Sequence, residues 1–306
     1  MNASIPAPIG TPGQPWGAAE RALWRSRQIV RRSYAADVSA RIDALRGRFE
    51  VMSYGEIASG AHACPLFAVR NQDWRTELPV ALVTGGVHGY ETSGVHGAID
   101  FLAQQAETFD GVVNLLVAPC ISPWAYERVH RWNADAVDPN RSFRPDSPAP
   151  EAAALIALVA PLRERVLLHI DLHETTDSDE SEFRPALAAR DGKPFEPGHI
   201  PDGFYVVGDA ENPQLDFQRA IVAAVSKVTH IAPADAKGEI IGSPVVAEGV
   251  ILYPFRKLGL CAGLTDARYT STTEVYPDSP RATPAQCNAA QVAAVRAAID
   301  HALAQG

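Results

Sequence analysis

No apolar run in the sequence approaches the roughly 20 residues that a bilayer-spanning helix needs, so a membrane span is not expected. The opening stretch, MNASIPAPIGTPGQPWGAAERALWRSRQIVRRSY, lacks the apolar h-region of a secretory leader. Positive charge is in deficit: 27 Lys and Arg face 36 Asp and Glu, for a net charge of -9. Such a surface repels phosphate, which argues against a nucleic-acid partner. Only four cysteines are present, Cys64, Cys120, Cys261 and Cys287, and no two form a CxxC pair. Scattered thiols of this kind are expected to be reduced and buried, in a cytoplasmic protein. Internal repeats and low-complexity linkers are missing as well. What remains is a chain of 306 residues, 46% of them apolar, long enough for one large α/β domain. The expected organisation is a flexible, Pro/Gly-rich N-terminal arm over 1–16 and a single domain over 17–306.

Residues 18–47 read as one or two helices rich in Arg and Ala. Five β-rich runs follow: RFEVMSYG, CPLFAVR, LPVALVTGG, VVNLLVAP and RVLLHIDLH. The last three are nearly continuous in apolar residues, the pattern of strands covered on both faces. A helical stripe of Val95, Ile99 and Leu102 predicts a helix over about 92–108, between the third and fourth runs. APEAAALIALVAPLRE predicts another before the fifth. The C-terminal segment reads as a helix with Thr283 as N-cap, Pro284 at the first position and Gln286 closing a capping box. Strands alternating with helices argue for an α/β domain with a parallel or mixed sheet.

The stretch GGVHGYETSG places His88 and Glu91 three apart where the third strand ends, and sites in open α/β sheets form at such strand ends. Imidazole and carboxylate both suit Zn2+ at about 2.0–2.2 Å. His173 stands where the fifth strand runs out, and a catalytic zinc needs three protein ligands with one position left open. Asp171, two residues earlier, is placed to orient that loop or to be a plain strand-end carboxylate. His169 falls on the same strand face as His173 and is a competing ligand, ranked lower. In HRWNADAVDPNRSF, Asn140 and Arg141 offer donors for a carboxylate, and Arg131 offers a cation for a developing oxyanion. Glu274, in STTEVYP, is a carboxylate able to take and return a proton beside an activated water.

With these four signals in this order, the sequence resembles the M14 (carboxypeptidase A-like) zinc carboxypeptidases. That family shows H-x-x-E, a D-x-N-R-x-F loop, a D-L-H strand end and a late glutamate; here they read His88/Glu91, DPNRSF, DLH ending at His173, and Glu274. The resemblance covers about residues 45–304. It implies a three-layer α/β/α sandwich around a mixed, mostly parallel sheet of about eight strands. It further implies one zinc ion on His88, Glu91 and His173, and Glu274 as general base and then acid. Asn140 and Arg141 would hold the substrate's terminal carboxylate and Arg131 would polarise the scissile carbonyl. The implied activity is hydrolysis of the C-terminal amide of a peptide. A tyrosine covers the substrate in this family; Tyr253 and Tyr269 are both candidates.

DLHETT and TEVYP also resemble the aspartoacylase/succinylglutamate desuccinylase branch, which shares the metal site and cleaves N-acyl amino acids. The 87 residues before His88, with their β-rich runs, favour the peptidase. Glu174, Asp177, Asp179, Glu180 and Glu182 follow His173 closely. As a charge run they are expected in a solvated loop; the sharper alternatives are a rim for basic substrates or a carboxylate bridge to a second metal.

Overall fold

The computed structural model describes residues 8–305. The apolar runs become ten strands: β1 (Phe49–Ser59), β2 (His62–Asn71), β3 (Val80–Gly85), β4 (Asn114–Ala118), β5 (Val166–Glu174), β6 (Tyr205–Asp209), β7 (Glu239–Ile240), β8 (Ser243–Pro244), β9 (Val250–Tyr253) and β10 (Tyr269–Val275). The α-helices are α1 (Ala18–Ser26), α2 (Ala40–Asp43), α3 (Thr92–Gln104), α4 (Pro123–Arg128), α5 (Pro150–Val159), α6 (Arg184–Arg190), α7 (Leu215–Val225), α8 (Phe255–Leu258) and α9 (Pro284–Ala304).

Eight strands form one sheet in the order β1-β2-β4-β3-β5-β10-β6-β9, and β7 and β8 form a separate ribbon. The central ladders β4–β3, β3–β5 and β5–β10 are parallel, as is β6–β9. The ladders β1–β2, β2–β4 and β10–β6 are antiparallel. Alternation along the central strands sends side chains to both faces. Ala81, Val83, Ile170 and Leu172 pack with Val95 and Ile99 of α3, Phe217 and Ile221 of α7 and Val295 and Ile299 of α9. Val80, Leu82, Leu116 and Ala118 pack on the opposite side with Ala152, Leu155 and Val159 of α5. The result is the three-layer α/β/α sandwich with a mixed, mostly parallel sheet that the resemblance implies.

Several boundaries shift. The helix expected over 92–108 ends at Gln104, because Gln105 leaves helical geometry (φ -126°), and a 3-10 turn follows at Ala106–Phe109. The helical region 18–47 splits into α1 and a π turn, Ala35–Ser39, that runs into α2. Of the expected arm, residues 1–7 lie outside the described residues. Residues 10–15 are exposed, whereas Trp16 is buried against Trp132, with ring centroids 6.2 Å apart. The C-terminal helix carries the expected capping box, with Thr283 accepting from Gln286 N–H. Among the described residues no helix is long and apolar enough to cross a membrane.

One buried charge in this frame has a measurable cost. Glu151, in the first turn of α5, is 1% exposed, and neither of its carboxylate oxygens makes a hydrogen bond. Burial pushes its carboxyl from 4.5 up to about 7, with its own backbone N–H and then the nearby Asn133 amide opposing only in part. A folded-state pKa above the unfolded one means stability present below pH ~4.5 and lost as pH rises to ~7, worth at most about 3 kcal/mol. Glu151→Gln is therefore expected to raise the melting temperature at pH 8 relative to wild type, and by much less at pH 5. Equal shifts at both pH values by calorimetry would reject this account.

Candidate metal centre

The metal-ligand candidates sit where β3 and β5 end side by side, since Gly85 pairs with Leu172 in the parallel ladder. Two glycines make the approach possible. A Cβ on Gly89 would lie 2.0 Å from Tyr126 N of α4, so the turn between His88 and Glu91 lies directly on that helix. A Cβ on Gly94 would lie 2.4 Å from the Leu172 carbonyl oxygen, so the first turn of α3 rests on β5 one residue before His173. Glycine at both sites lets backbone meet backbone.

His88, Glu91 and His173 converge here, with one ligand atom from each lying within 4.8 Å of the others. All three are 1–2% exposed. His88 Nδ1 is 2.7 Å from Glu91 Oε1 and His173 Nδ1 is 2.7 Å from Glu91 Oε2. The outer nitrogens are held by carboxylates: His88 Nε2 is 3.0 Å from Asp138 Oδ1, and His173 Nε2 is 2.6 Å from Asp171 Oδ2. These outer pairs hold each Nε2 and turn both Nδ1 atoms toward the same carboxylate. At 2.7 Å each Nδ1 faces a Glu91 oxygen across a gap that a cation fills, a proton or a metal ion. Glu91 Oε2 is moreover buried without a hydrogen bond. Burial raises the Glu91 carboxyl, yet the His173 and His88 charges outweigh it and hold it at about 2. The donor set of two imidazoles and one carboxylate fits Zn2+ with a fourth position open.

Asp138 was not singled out in the sequence, although it lies in the DPNRSF motif. Its Oδ1 also accepts from Asn140 N–H at 2.9 Å, and Arg131 Nε reaches its Oδ2 at 3.2 Å. Burial raises its carboxyl, but Arg131 and His88 hold it well below the usual carboxylate range. By sequence alone Glu174 belongs to a charge run. In the fold it is 4% exposed and accepts from Thr92 N–H at 3.0 Å and Ser93 N–H at 2.7 Å. These are free N–H groups at the start of α3, whose N-cap, Glu91, faces the metal position and caps nothing. One carboxylate thus ties the segment carrying Glu91 to the strand carrying His173. From behind, Gln291 of α9 donates to the His173 carbonyl at 2.9 Å.

Of the remaining acidic run, Asp179 and Glu180 are engaged in the fold too. Asp179 is buried, accepts from Tyr90 Oη at 2.8 Å and from Arg131 at 3.2 Å, and Glu180 pairs with Arg184 at 2.7 Å. Asp177 and Glu182 are exposed. His169, the competing ligand, points elsewhere: it is fully buried, with Nε2 3.0 Å from Thr84 Oγ1. Burial pushes its imidazole down to about 4.

Glu274 stands opposite His173 in the β10–β5 register and opposite Tyr205 in the β10–β6 register. Thr175 Oγ1 donates to its Oε2 at 2.9 Å. Burial, with Glu91 adding and His173 opposing, pushes its carboxyl up to about 8; a bound divalent cation would favour the carboxylate again. A cavity of about 630 Å3 lies over this row and is lined by His88, Glu91, His173, Glu274, Arg131, Asn140, Arg141 and Tyr253. Asn140 Oδ1 accepts from Cys261 N–H at 2.8 Å, and its amide nitrogen lies 3.5 Å from His173 Nε2, at the metal-ligand cluster. Arg141 is exposed, and its guanidinium donates to the Asn140 carbonyl at 2.7 Å. Of the two tyrosines, Tyr253 lines the cavity. Tyr269 lies at the far end of β10, 2% exposed and packed on Phe217.

Residues 77–192 match the family model for the succinylglutamate desuccinylase/aspartoacylase catalytic domain. No curated protein matches the chain in sequence. Among solved structures, the chain is similar to a candidate metallopeptidase of Shewanella amazonensis, with 20% identity over 90% of this chain and 98% of that one and a TM-score of 0.64. A candidate metallopeptidase of Shewanella denitrificans gives 19% identity over 90% and 96%, with a TM-score of 0.64. The carboxypeptidase A of Helicoverpa armigera gives 13% identity over 92% and 78%, with a TM-score of 0.58. The chain therefore has the carboxypeptidase fold, and its residues 77–192 are similar to the succinylglutamate desuccinylase/aspartoacylase catalytic domain.

Proposed function

We propose that the protein is a zinc-dependent metallocarboxypeptidase that hydrolyses the C-terminal amide bond of a peptide. The observation that carries this reading is the convergence of His88, Glu91 and His173 in one cavity with Glu274 and Arg141. Zn2+ held by those three residues supplies a Lewis acid that polarises a carbonyl and acidifies water. The chain's own groups do the rest. Asp138 and Asp171 fix the imidazoles so that Nδ1 faces inward. Glu274 accepts the proton of the attacking water on its carboxylate and passes it to the leaving amine. Arg141 and the Asn140 amide hold the substrate's terminal carboxylate, and Arg131 faces the carbonyl oxygen as charge develops there. Tyr253 closes over the substrate. Four buried, unbridged cysteines fit a reducing compartment, and we place the protein in the cytoplasm on that ground.

A second reading, N-acyl amino acid deacylase, is favoured by the family match over residues 77–192. Both reactions place a carboxylate-bearing amine in the cavity and differ in what is acylated to it. Incubating the zinc-loaded protein with a peptide library and with acetyl- and succinyl-amino acids, read by mass spectrometry, separates them. Loss of single C-terminal residues supports the peptidase. Release from the acyl set alone sinks it and leaves the deacylase.

A further inference from the structure

We propose that His62, Cys64 and Glu127 form a second metal site, outside the catalytic cavity, for one thiophilic divalent cation of the Zn2+ type. β1 and β2 are joined by only Gly60 and Ala61, with Gly60 at φ 71° and Ser59 paired with His62. The tight connection fixes the start of β2, and strand alternation puts His62 and Cys64 on one side of it. Glu127, from α4, meets them there. One ligand atom from each residue lies within 4.8 Å of the others, and His62 Nε2 is 3.2 Å from Glu127 Oε1. None of the three lines the catalytic cavity.

The Glu127 carboxylate is divided. Its Oε2 accepts from the Ser59 hydroxyl and lies 3.5 Å from the Arg128 guanidinium. Arg128 is itself fixed by Ser59 Oγ at 2.8 Å and by the Trp124 ring, 4.4 Å from its centroid. Oε1 is left for His62 and a cation. This is the layout of an oriented ligand with outer partners on its second oxygen. Cys64 is 2% exposed and Glu127 4%, whereas the His62 side chain is 55% exposed, so an ion and a completing water have a path in. One sulfur, one imidazole and one carboxylate suit Zn2+ and its borderline-soft neighbours and exclude the all-oxygen preference of Ca2+ and Mg2+. On binding, the Cys64 thiol gives its proton to solvent and the sulfur forms the metal bond. Thiolate and carboxylate together balance the dication. The residual Arg128 charge makes this the weaker of the two sites.

Cobalt distinguishes them. Thiolate-to-cobalt charge transfer absorbs in the near ultraviolet, and the His88, Glu91 and His173 set offers only nitrogen and oxygen. Titrating the metal-free full chain with Co2+ is expected to develop that band in wild type and not in Cys64→Ser. In His62→Ala, a change at a half-exposed side chain, the band should need over 100-fold more cobalt, beyond the roughly 10–100-fold that loss of an outer partner alone costs. Zinc content after desalting should fall by one equivalent in both variants. A wild-type chain without the band overturns the site. So does a band that survives Cys64→Ser, or one whose cobalt dependence is unchanged in His62→Ala. None of these outcomes depends on the hydrolase reading.

Discussion

Glu274→Gln is expected to lower kcat by about 10²–10⁴-fold, the usual contribution of a positioned acid–base group, while bound zinc stays at the wild-type level. The amide keeps the shape of the side chain and an oxygen for the Thr175 hydroxyl, which donates at 2.9 Å. It cannot take a proton from water. Because Glu274 is not among the three converging ligands, KM and metal content should move little. A kcat within a few-fold of wild type, with zinc still bound, would remove Glu274 from the mechanism and leave the metal centre untouched.

Removing the cation is expected to abolish hydrolysis, to lower thermal stability, and to do both reversibly. A ligand present at a thousand times its Kd stabilises the folded chain by about 4 kcal/mol, and that is the scale of the loss on chelation. In the metal-free site a proton is expected to take the ion's place. Burial pulls the His173 imidazole down, but Glu91 and Asp171 outweigh it and raise it well above its ordinary value. Metal uptake must displace that proton, so affinity should rise with pH, with proton release on binding. Calorimetric titration of zinc in two buffers of different ionisation enthalpy reads the released proton directly. Uptake without proton release, or full activity after chelation, would contradict the arrangement.

The convergence of His88, Glu91 and His173 was legible because each lies at or just past the end of a strand that opens on a run of apolar residues. Glu274 was legible only through its place in the resemblance, since a lone glutamate in STTEVYP has no local mark. Asp138 and Glu174 were not readable as supports. Asp138 meets His88 across 50 residues and Glu174 meets Ser93 across 81, and no periodicity encodes such contacts. β6 and β9, of 5 and 4 residues, also escaped notice. The choice between Tyr253 and Tyr269 likewise needed the fold, because both lie on strands and only position along the sheet separates cavity from core. The acidic run misleads by composition, since buried donors engage Glu174 and Asp179 while Asp177 and Glu182 face solvent.

Trp16, Trp24, Trp124 and Trp132 gather in one aromatic cluster, and Trp132 also lines the cavity over the His88, Glu91 and His173 cluster, beneath the Arg190 guanidinium, 4.7 Å from its ring. The chain therefore carries a built-in optical gauge. Indoles this close can exchange excitation, and filling the space beside Trp132 is expected to change the emission of the group without any added dye.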